Sequence, residues 1–198
     1  MHSYWDDSFT LRGLKDAADM ARAMNEPKTA EKYQRLADDF GRTLVASIEL
    51  ATKTHGIDYI PGCVEFGDFD ATSTTVALWP GGARNILPSD LLSNTFNRYW
   101  DRFIERRDNP SFEWIDYTPY ELRSVGALAR MGQGARAHAM LDFFFRDRRP
   151  AAWLQWAEVV RPGYRERGFF GDLPHAWVAS DYIRSALDLF AYEREADA

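Results

Sequence analysis

Four short segments of the chain combine aromatic rings with acidic side chains. They are residues 4–7 (YWDD), 65–70 (EFGDFD), 113–117 (EWIDY) and 153–158 (WLQWAE). Apolar ring faces pack against the C–H groups of sugars, carboxylates hold hydroxyl groups, and a suitably spaced pair of carboxyl groups can cleave a glycosidic bond. The four segments therefore favour carbohydrate chemistry, provided that the fold brings them to one rim.

The secondary structure around these segments is predicted to be helical, because apolar residues recur at helical spacing and the alternation typical of strands is missing. Each acidic-aromatic segment comes shortly before a predicted helix. In the first two helices we expect Phe9, Met24, Leu36, Leu44 and Ile48 to be buried. The predicted helices cover residues 7–24, 27–51, 70–79, 89–108, 118–131, 134–146 and 175–193.

The connections between these helices alternate between short turns and long loops, which is typical of stacked helical hairpins. Two architectures fit this pattern: an open helical-repeat solenoid and a closed α/α toroid of antiparallel hairpins. The long Gly- and Trp-rich loops and the irregular repeat favour the toroid. We therefore predict an all-α fold, with residues 1–198 forming a single domain.

Composition and charge narrow the possible partners. The 198 residues are 45% hydrophobic, enough for a core without disulfides or metals. A net charge of -6 disfavours nucleic acid, and the apolar runs are too short to span a membrane. Cys63 is the only cysteine and is expected to be a small buried side chain. No signal peptide opens the sequence, which leaves the localisation open, since a longer parent protein could be periplasmic or secreted.

Three motifs resemble six-hairpin, (α/α)6-barrel glycosidases of the trehalase, glucoamylase and glucosidase type. Residues 2–14 (HSYWDDSFTLRGL) are similar to the Trp-Asp segment that opens a helix in those enzymes. Residues 67–72 (GDFDAT) resemble their later Asp-containing segment, and residues 168–177 (GFFGDLPHAW) resemble the stretch before their final inner helix. The order of the motifs along the chain strengthens the resemblance. It implies inverting hydrolysis of an oligo- or polysaccharide, with Asp6 as the acid and Glu158 as the base.

The site residues implied by the resemblance have structural alternatives. The apolar ring of Trp5 favours a protonated neighbouring carboxyl, which suits an acid, but Asp6 or Asp7 could instead cap the first helix. Glu158 could be a solvated loop residue paired with an arginine at position 161 or 165. Glu65 and Asp68 could bind hydroxyls or replace Asp6 as the acid, whereas Asp70 is expected to be a helix cap. The expected substrate-binding residues are Trp5, Asp7, Glu65, Asp68, Trp114, Asp116, Trp156, His175 and Trp177.

The sequence contains no motif for metal binding, phosphate binding or a serine nucleophile. The histidines are scattered, no Gly-rich phosphate loop occurs, and the Gly-x-Ser-x-Gly elbow is absent, so we expect no metal, no cofactor and no serine nucleophile. A complete barrel needs six hairpins, whereas this chain holds three and a final helix. We therefore expect the C-terminal half of a barrel, with an apolar side covered by a missing N-terminal half or by a second copy.

Two further functions stay open. A carbohydrate-binding α/α toroid without catalysis would keep the aromatic rim and tolerate loss of the carboxylates. A helical-repeat scaffold for a protein partner would bury its aromatic residues. The positions of the rings and carboxylates in the structure distinguish these alternatives.

Overall fold

The computed structural model describes residues 1–109, 111–112, 119–148, 151–158 and 172–193. Within these ranges the secondary structure is helical, which confirms the all-α prediction. The α-helices are α1 (Tyr4–Ala23), α2 (Pro27–His55), α3 (Ala71–Leu78), α4 (Ser89–Asp108), α5 (Arg123–Arg130), α6 (Gly134–Arg146) and α7 (Ala176–Asp188), and Pro119–Leu122 and Ala151–Trp153 form 3₁₀ helices. No described helix is both long enough and apolar enough to cross a membrane.

The described residues divide into two compact units, 1–97 and 98–193. The division falls inside α4, which contributes its first half to unit 1 and its second half to unit 2. Unit 1 also contains α1, α2 and α3. Unit 2 contains α5, α6, α7 and both 3₁₀ helices. Two of the four acidic-aromatic segments therefore belong to unit 1.

In unit 1, α1 and α2 form the predicted hairpin. Asn25 turns the chain in a left-handed conformation with φ of 61°, and Pro27 occupies the first turn of α2, where its missing N–H costs nothing. The end of α2 was predicted at residue 51, but the helix continues to His55 because Gly56 is the first residue after it to adopt the left-handed conformation, with φ of 63°.

Helix α1 begins at Tyr4, earlier than the predicted start at residue 7 or 8. The Tyr4 N–H donates to the Gly62 carbonyl at 3.1 Å, and the Val64 N–H donates to the His2 carbonyl at 3.0 Å. These bonds to the loop fix the chain just ahead of Tyr4, whose ring is buried. The prediction that Asp6 or Asp7 caps α1 was therefore wrong: both lie in its first turn, where the helix dipole favours negative charge.

The buried face of α1 explains why some expected core residues are exposed. Its buried positions are Tyr4, Ser8, Leu11, Ala18 and Ala21, a stripe that places Phe9 on the neighbouring face. Phe9, Met24 and Leu36 are exposed, contrary to prediction. Leu44, Ile48 and Cys63 are buried as expected.

Helices α3 and α4 follow the predicted pattern closely. Asp70 caps α3, because its carboxylate accepts the Ser73 N–H at 3.0 Å. The start of α4 holds the loop that precedes α3: the Thr95 hydroxyl oxygen accepts the Ile60 N–H at 2.9 Å, and the Asn94 amide donates to the Asp58 carbonyl at 3.0 Å. This loop carries the segment 65–70.

In unit 2, α5 lies at the centre and packs against both α6 and α7. Two arginine-aspartate pairs join α5 to α7. Arg123 Nε donates to Asp181 at 2.6 Å, and Arg130 Nε donates to Asp188 at 2.7 Å. The earlier arginine pairs with the earlier aspartate and the later arginine with the later aspartate, so α5 and α7 run in the same direction. A Cβ added to Gly126 would lie 3.0 Å from the Asp188 carboxylate, so the glycine allows this close approach.

Two predicted helices of unit 2 are shorter than expected. The predicted helix 118–131 divides into the 3₁₀ helix Pro119–Leu122 and α5. The predicted helix 175–193 is α7, which ends at Asp188. Beyond it the chain turns, so that the Glu193 carbonyl accepts from Arg130 at 3.2 Å and the Tyr192 hydroxyl reaches the Arg130 carbonyl at 3.5 Å.

Large apolar side chains are exposed along the last part of unit 2. Ile183, Leu187 and Phe190 recur at spacings of four and three residues, and all three are exposed. Ile183 and Leu187 share one face of α7, and Phe190 follows in the turn after the helix. We refer to Ile183, Leu187 and Phe190 as the apolar stripe.

Candidate functional site

A cluster of titratable side chains lies in unit 2, ahead of α7. Glu158, Asp172 and His175 each offer an oxygen or nitrogen atom, and these atoms all lie within 4.8 Å of one another. The Glu158 N–H donates to the Asp172 carbonyl at 3.1 Å, which ties the two backbone segments together. Glu158 and His175 are half-buried, whereas Asp172 is exposed. The cluster is thus anchored on one side and open on the other. We call these three residues the acidic-histidine cluster.

Tyr120, in the 3₁₀ helix, contacts this cluster. Its hydroxyl lies 2.7 Å from His175 Nε2, and the two rings meet edge to face with centroids 5.6 Å apart. Burial raises the pKa of Tyr120, and the negative charge of Glu158 together with a hydrogen bond to its carboxylate raises it further. The phenol therefore keeps its proton near neutral pH and can donate it to a hydrogen bond with Glu158.

His175 is free to face Tyr120 because of its position at the start of α7. It occupies the N-cap position with an extended backbone, φ of -108° and ψ of 105°, but its side chain makes no capping hydrogen bond. Instead the ring points to Tyr120. The His175 side chain is therefore available to the candidate site, although the residue occupies the N-cap position of α7.

Arg123, Asp181 and Trp177 extend the site along α5 and α7. The Arg123 guanidinium lies over the rings of Tyr120 and Trp177, at 4.4 and 5.3 Å from their centroids. Burial raises the pKa of Asp181 to about 6, although the positive charge of Arg123 and their hydrogen bond oppose the shift. Trp177 is 45% exposed, so part of its ring is accessible to a ligand.

This arrangement supports proton transfer or metal binding. A half-buried carboxylate beside a neutral phenol and an imidazole can accept and hold protons. Two carboxylates and one imidazole are also a common set of metal ligands. The exposed ring of Trp177 adds an apolar surface of the kind that packs on sugars.

The first two acidic-aromatic segments lie together in unit 1. Glu65 accepts from the His2 N–H at 2.9 Å and interacts with His2 Nδ1 at 2.6 Å, next to the backbone bonds that hold Tyr4. The His2 hydrogen bonds lower the pKa of Glu65 to about 2. Asp68 is exposed and accepts the Cys63 N–H at 3.0 Å. The carboxylates of Glu65 and Asp68 therefore both accept hydrogen bonds that hold the loop and the N-terminal residues in place.

The Trp-Asp segment itself combines one exposed and one half-buried carboxyl. Asp6 is exposed and Asp7 is half-buried. Burial, followed by the neighbouring charge of Asp6, raises the pKa of Asp7. Trp5 is half-buried and contacts Phe9, with ring centroids 5.6 Å apart. Burial therefore favours the protonated form of Asp7 relative to a free aspartate.

The proposed substrate-binding role of Trp156 is not compatible with its burial. Only 6% of the residue is exposed, its ring packs against Tyr182 at 4.9 Å between centroids, and its Nε1 donates to the Phe144 carbonyl at 3.3 Å. It belongs to the core of unit 2, whereas the neighbouring Trp153 is exposed. Trp114 and Asp116 lie outside the described residues, as do the arginines at 161 and 165.

Sequence reasoning missed four residues of this site: Tyr120, Arg123, Asp172 and Asp181. Two signals were available. Asp172 and His175 are three residues apart just before α7. The spacing of Arg123 and Arg130 matches that of Asp181 and Asp188, which suits two facing helices. Neither signal shows that Glu158, fourteen positions before Asp172, joins them.

No protein-family model matches the chain, and comparisons with curated proteins and with solved structures also find no match. The resemblance to six-hairpin glycosidases therefore rests on the sequence motifs.

Proposed function

We propose that the chain is a glycoside hydrolase, or a fragment of one, in which Glu158 is the general base. The observation that carries this proposal is the setting of Glu158: it is half-buried, close to Tyr120 and His175, in the same unit as the accessible ring of Trp177. The Tyr120 hydroxyl donates a hydrogen bond to the Glu158 carboxylate, which orients this carboxylate in the site.

In the proposed reaction, Glu158 takes a proton from a water molecule as the water oxygen attacks the anomeric carbon. The bond from that carbon to the leaving oxygen breaks, and a carboxylic acid gives its proton to the leaving oxygen. Attack from the face opposite the leaving group inverts the anomeric configuration. The substrate is an oligo- or polysaccharide.

The resemblance of the Trp-Asp segment to six-hairpin glycosidases assigns the role of proton donor to Asp6. Two other carboxyls are alternatives on physical grounds, because burial raises the pKa of Asp7 in unit 1 and raises that of Asp181 in unit 2 to about 6. A pKa near the working pH suits a general acid. Asp181 is the weaker alternative, since its carboxylate accepts a hydrogen bond from Arg123 at 2.6 Å.

We propose further that the fold is part of an α/α toroid. The parallel direction of α5 and α7, with α6 between them in the chain, supports this arrangement, because successive inner helices of such a toroid run the same way. The apolar stripe on unit 2 would then pack against a further hairpin or against a second copy of the chain.

Hydrolysis of a panel of aryl and natural glycosides tests the proposal. We expect Glu158→Gln to lower kcat by about 100-fold or more, the usual contribution of a general base. Glu105→Gln is the matched control, because Glu105 is an exposed glutamate of the same unit. Full turnover by Glu158→Gln would remove Glu158 as the base, and no turnover of any glycoside would refute the proposal that this chain alone is a hydrolase.

The same panel identifies the acid. A substrate with a good leaving group needs little protonation, so loss of the acid slows hydrolysis of poor leaving groups far more. We expect Asp6→Asn to show this dependence, whereas Glu158→Gln should slow all substrates alike. If Asp7→Asn or Asp181→Asn shows it instead, the acid is reassigned.

A carbohydrate-binding protein without catalysis is the second candidate. The exposed ring of Trp177 and the exposed carboxylate of Asp172, both in unit 2, favour it, since an aromatic ring and a carboxylate can bind sugars without any proton transfer. Oligosaccharide binding that Trp177→Ala abolishes and Glu158→Gln leaves intact, with no hydrolysis, would support binding alone.

A further inference from the structure

We propose that Glu158, Asp172 and His175 form a binding site for a divalent transition metal ion, with Zn²⁺ as the best fit. The observation behind the proposal is the convergence of three different side chains whose ligand atoms lie within 4.8 Å of one another. They come from two segments that a backbone hydrogen bond of 3.1 Å joins, so the convergence is built into the fold.

The chemistry of the three side chains selects the ion. An imidazole nitrogen with two carboxylate oxygens suits Zn²⁺ and neighbouring first-row metals, whereas Ca²⁺ and Mg²⁺ prefer oxygen ligands throughout. Three protein ligands with an open fourth position is the composition of zinc sites that bind a water or a substrate. The exposed side of the cluster, at Asp172, provides that opening.

Zinc binding requires the three ligand atoms to move only slightly closer together. Ligand atoms that each lie about 2.0–2.2 Å from one zinc ion are separated by about 3–4 Å. In the structure these atoms all lie within 4.8 Å of one another. Asp172 is exposed, so surrounding packing does not hold its side chain, and rotation of this side chain is the simplest way to close the site.

Tyr120 gives His175 the support that metal-binding histidines usually have. Such a histidine donates its second ring N–H to a neighbouring acceptor, which fixes the ring and its tautomer. Here the Tyr120 hydroxyl lies 2.7 Å from Nε2, so Nε2 can donate to its oxygen and Nδ1 becomes the metal ligand. The Tyr120 hydroxyl then donates its hydrogen bond to the Glu158 carboxylate.

The charges around the cluster also favour a cation. The carboxylates of Glu158 and Asp172 belong to the cluster, and Asp181 interacts electrostatically with His175. Arg123 pairs with Asp181 at 2.6 Å. With three carboxylates and one guanidinium, this region of unit 2 carries a net negative charge when the carboxylates are ionised.

The metal site does not rest on the proposed hydrolase function. If both hold, a bound ion occupies the Glu158 carboxylate, so hydrolysis falls at saturating Zn²⁺ and returns after EDTA. Metal binding is measured without any sugar, so failure of one proposal is distinguishable from failure of the other.

Isothermal titration of the full chain with ZnCl₂, and separately with MgCl₂, tests the site. We expect one saturable zinc per chain and no comparable binding of Mg²⁺. His175→Asn and Asp172→Asn should each weaken zinc binding by at least about 10-fold, and Tyr120→Phe by about 10- to 100-fold as a supporting residue. His138→Asn is the matched control, because His138 is an exposed histidine on α6 of the same unit.

Two results would overturn the proposal: no saturable zinc binding to the wild-type chain, or binding that Asp172→Asn and His175→Asn leave unchanged. Because Asp172 is exposed, its variant is expected to fold, and circular dichroism checks this. In addition, ¹⁵N NMR of the imidazole should place the metal on Nδ1 of His175, and a metal on Nε2 would contradict the role given to Tyr120.

Discussion

The Arg130–Asp188 pair allows the packing of unit 2 to be tested by a single substitution. The Arg130 guanidinium donates to both carboxylate oxygens of Asp188, at 2.7 and 2.9 Å, and the side chains are only 8% and 3% exposed. Asp188→Ala would leave the Arg130 charge buried without this carboxylate. We expect the variant to lose stability and to loosen the contact between α5 and α7.

The expected loss of stability in Asp188→Ala follows from the burial of the Arg130–Asp188 pair. Removing one partner of a buried ion pair costs about 3–5 kcal/mol. The matched control is Asp142→Ala, which breaks the Arg146–Asp142 pair on α6, where the side chains are 79% and 70% exposed. An exposed pair of this kind contributes about 0.3–0.5 kcal/mol. Replacing both buried partners, in Arg130→Met with Asp188→Leu, should recover most of the lost stability.

Urea unfolding followed by tryptophan fluorescence measures these differences. Hydrogen exchange at α5 and α7 provides the local readout, and it should increase in Asp188→Ala but not in Asp142→Ala. If Asp188→Ala costs less than about 1 kcal/mol, the pair behaves as an exposed one and the proposed packing of α5 against α7 is wrong.

Three further predictions concern other parts of the molecule. Burial raises the pKa of Asp181 from 3.8 to about 6, so its contribution to stability is full well below pH 3.8 and is lost as the pH rises through 6. Relative to Asp181→Asn, the wild-type unfolding free energy should fall by about 2 kcal/mol between pH 4 and 7, and a constant difference in urea titrations would contradict this. Cys63 is buried, and burial raises the pKa of its thiol, so Ellman's reagent should react with it only after urea is added; rapid reaction in the native protein would show that the loop opens. The apolar stripe should promote self-association, so light scattering is expected to detect dimers or larger species that Ile183→Glu with Leu187→Glu converts to monomers, and a monomeric wild type would argue against a covered stripe.

The helices could be predicted from the sequence because their apolar residues follow a helical period, and α4 was predicted closely. The helix ends were less predictable, since tertiary hydrogen bonds set them. Tyr4 starts α1 because the Gly62 carbonyl holds its N–H. Arg130 holds the chain that follows α7. Neither contact leaves a local sequence signal.

The candidate site was predictable only in part, for a similar reason. Glu158, His175 and Trp177 were selected from motifs, and the structure places all three in unit 2. Tyr120 and Asp181 have no motif, because their role depends on packing between helices. Trp156 was selected for its ring, but periodicity could not show that this ring is buried against Tyr182 while Trp177 remains accessible.

The anomeric configuration of the first product tests the central proposal most directly. Proton NMR of a freshly started reaction, recorded before mutarotation, distinguishes the two anomers of the released sugar. With Glu158 activating water on the face opposite the leaving group, we expect a product of inverted configuration whose formation Glu158→Gln abolishes. A product of retained configuration, or an inverted product formed equally fast by Glu158→Gln, would contradict it.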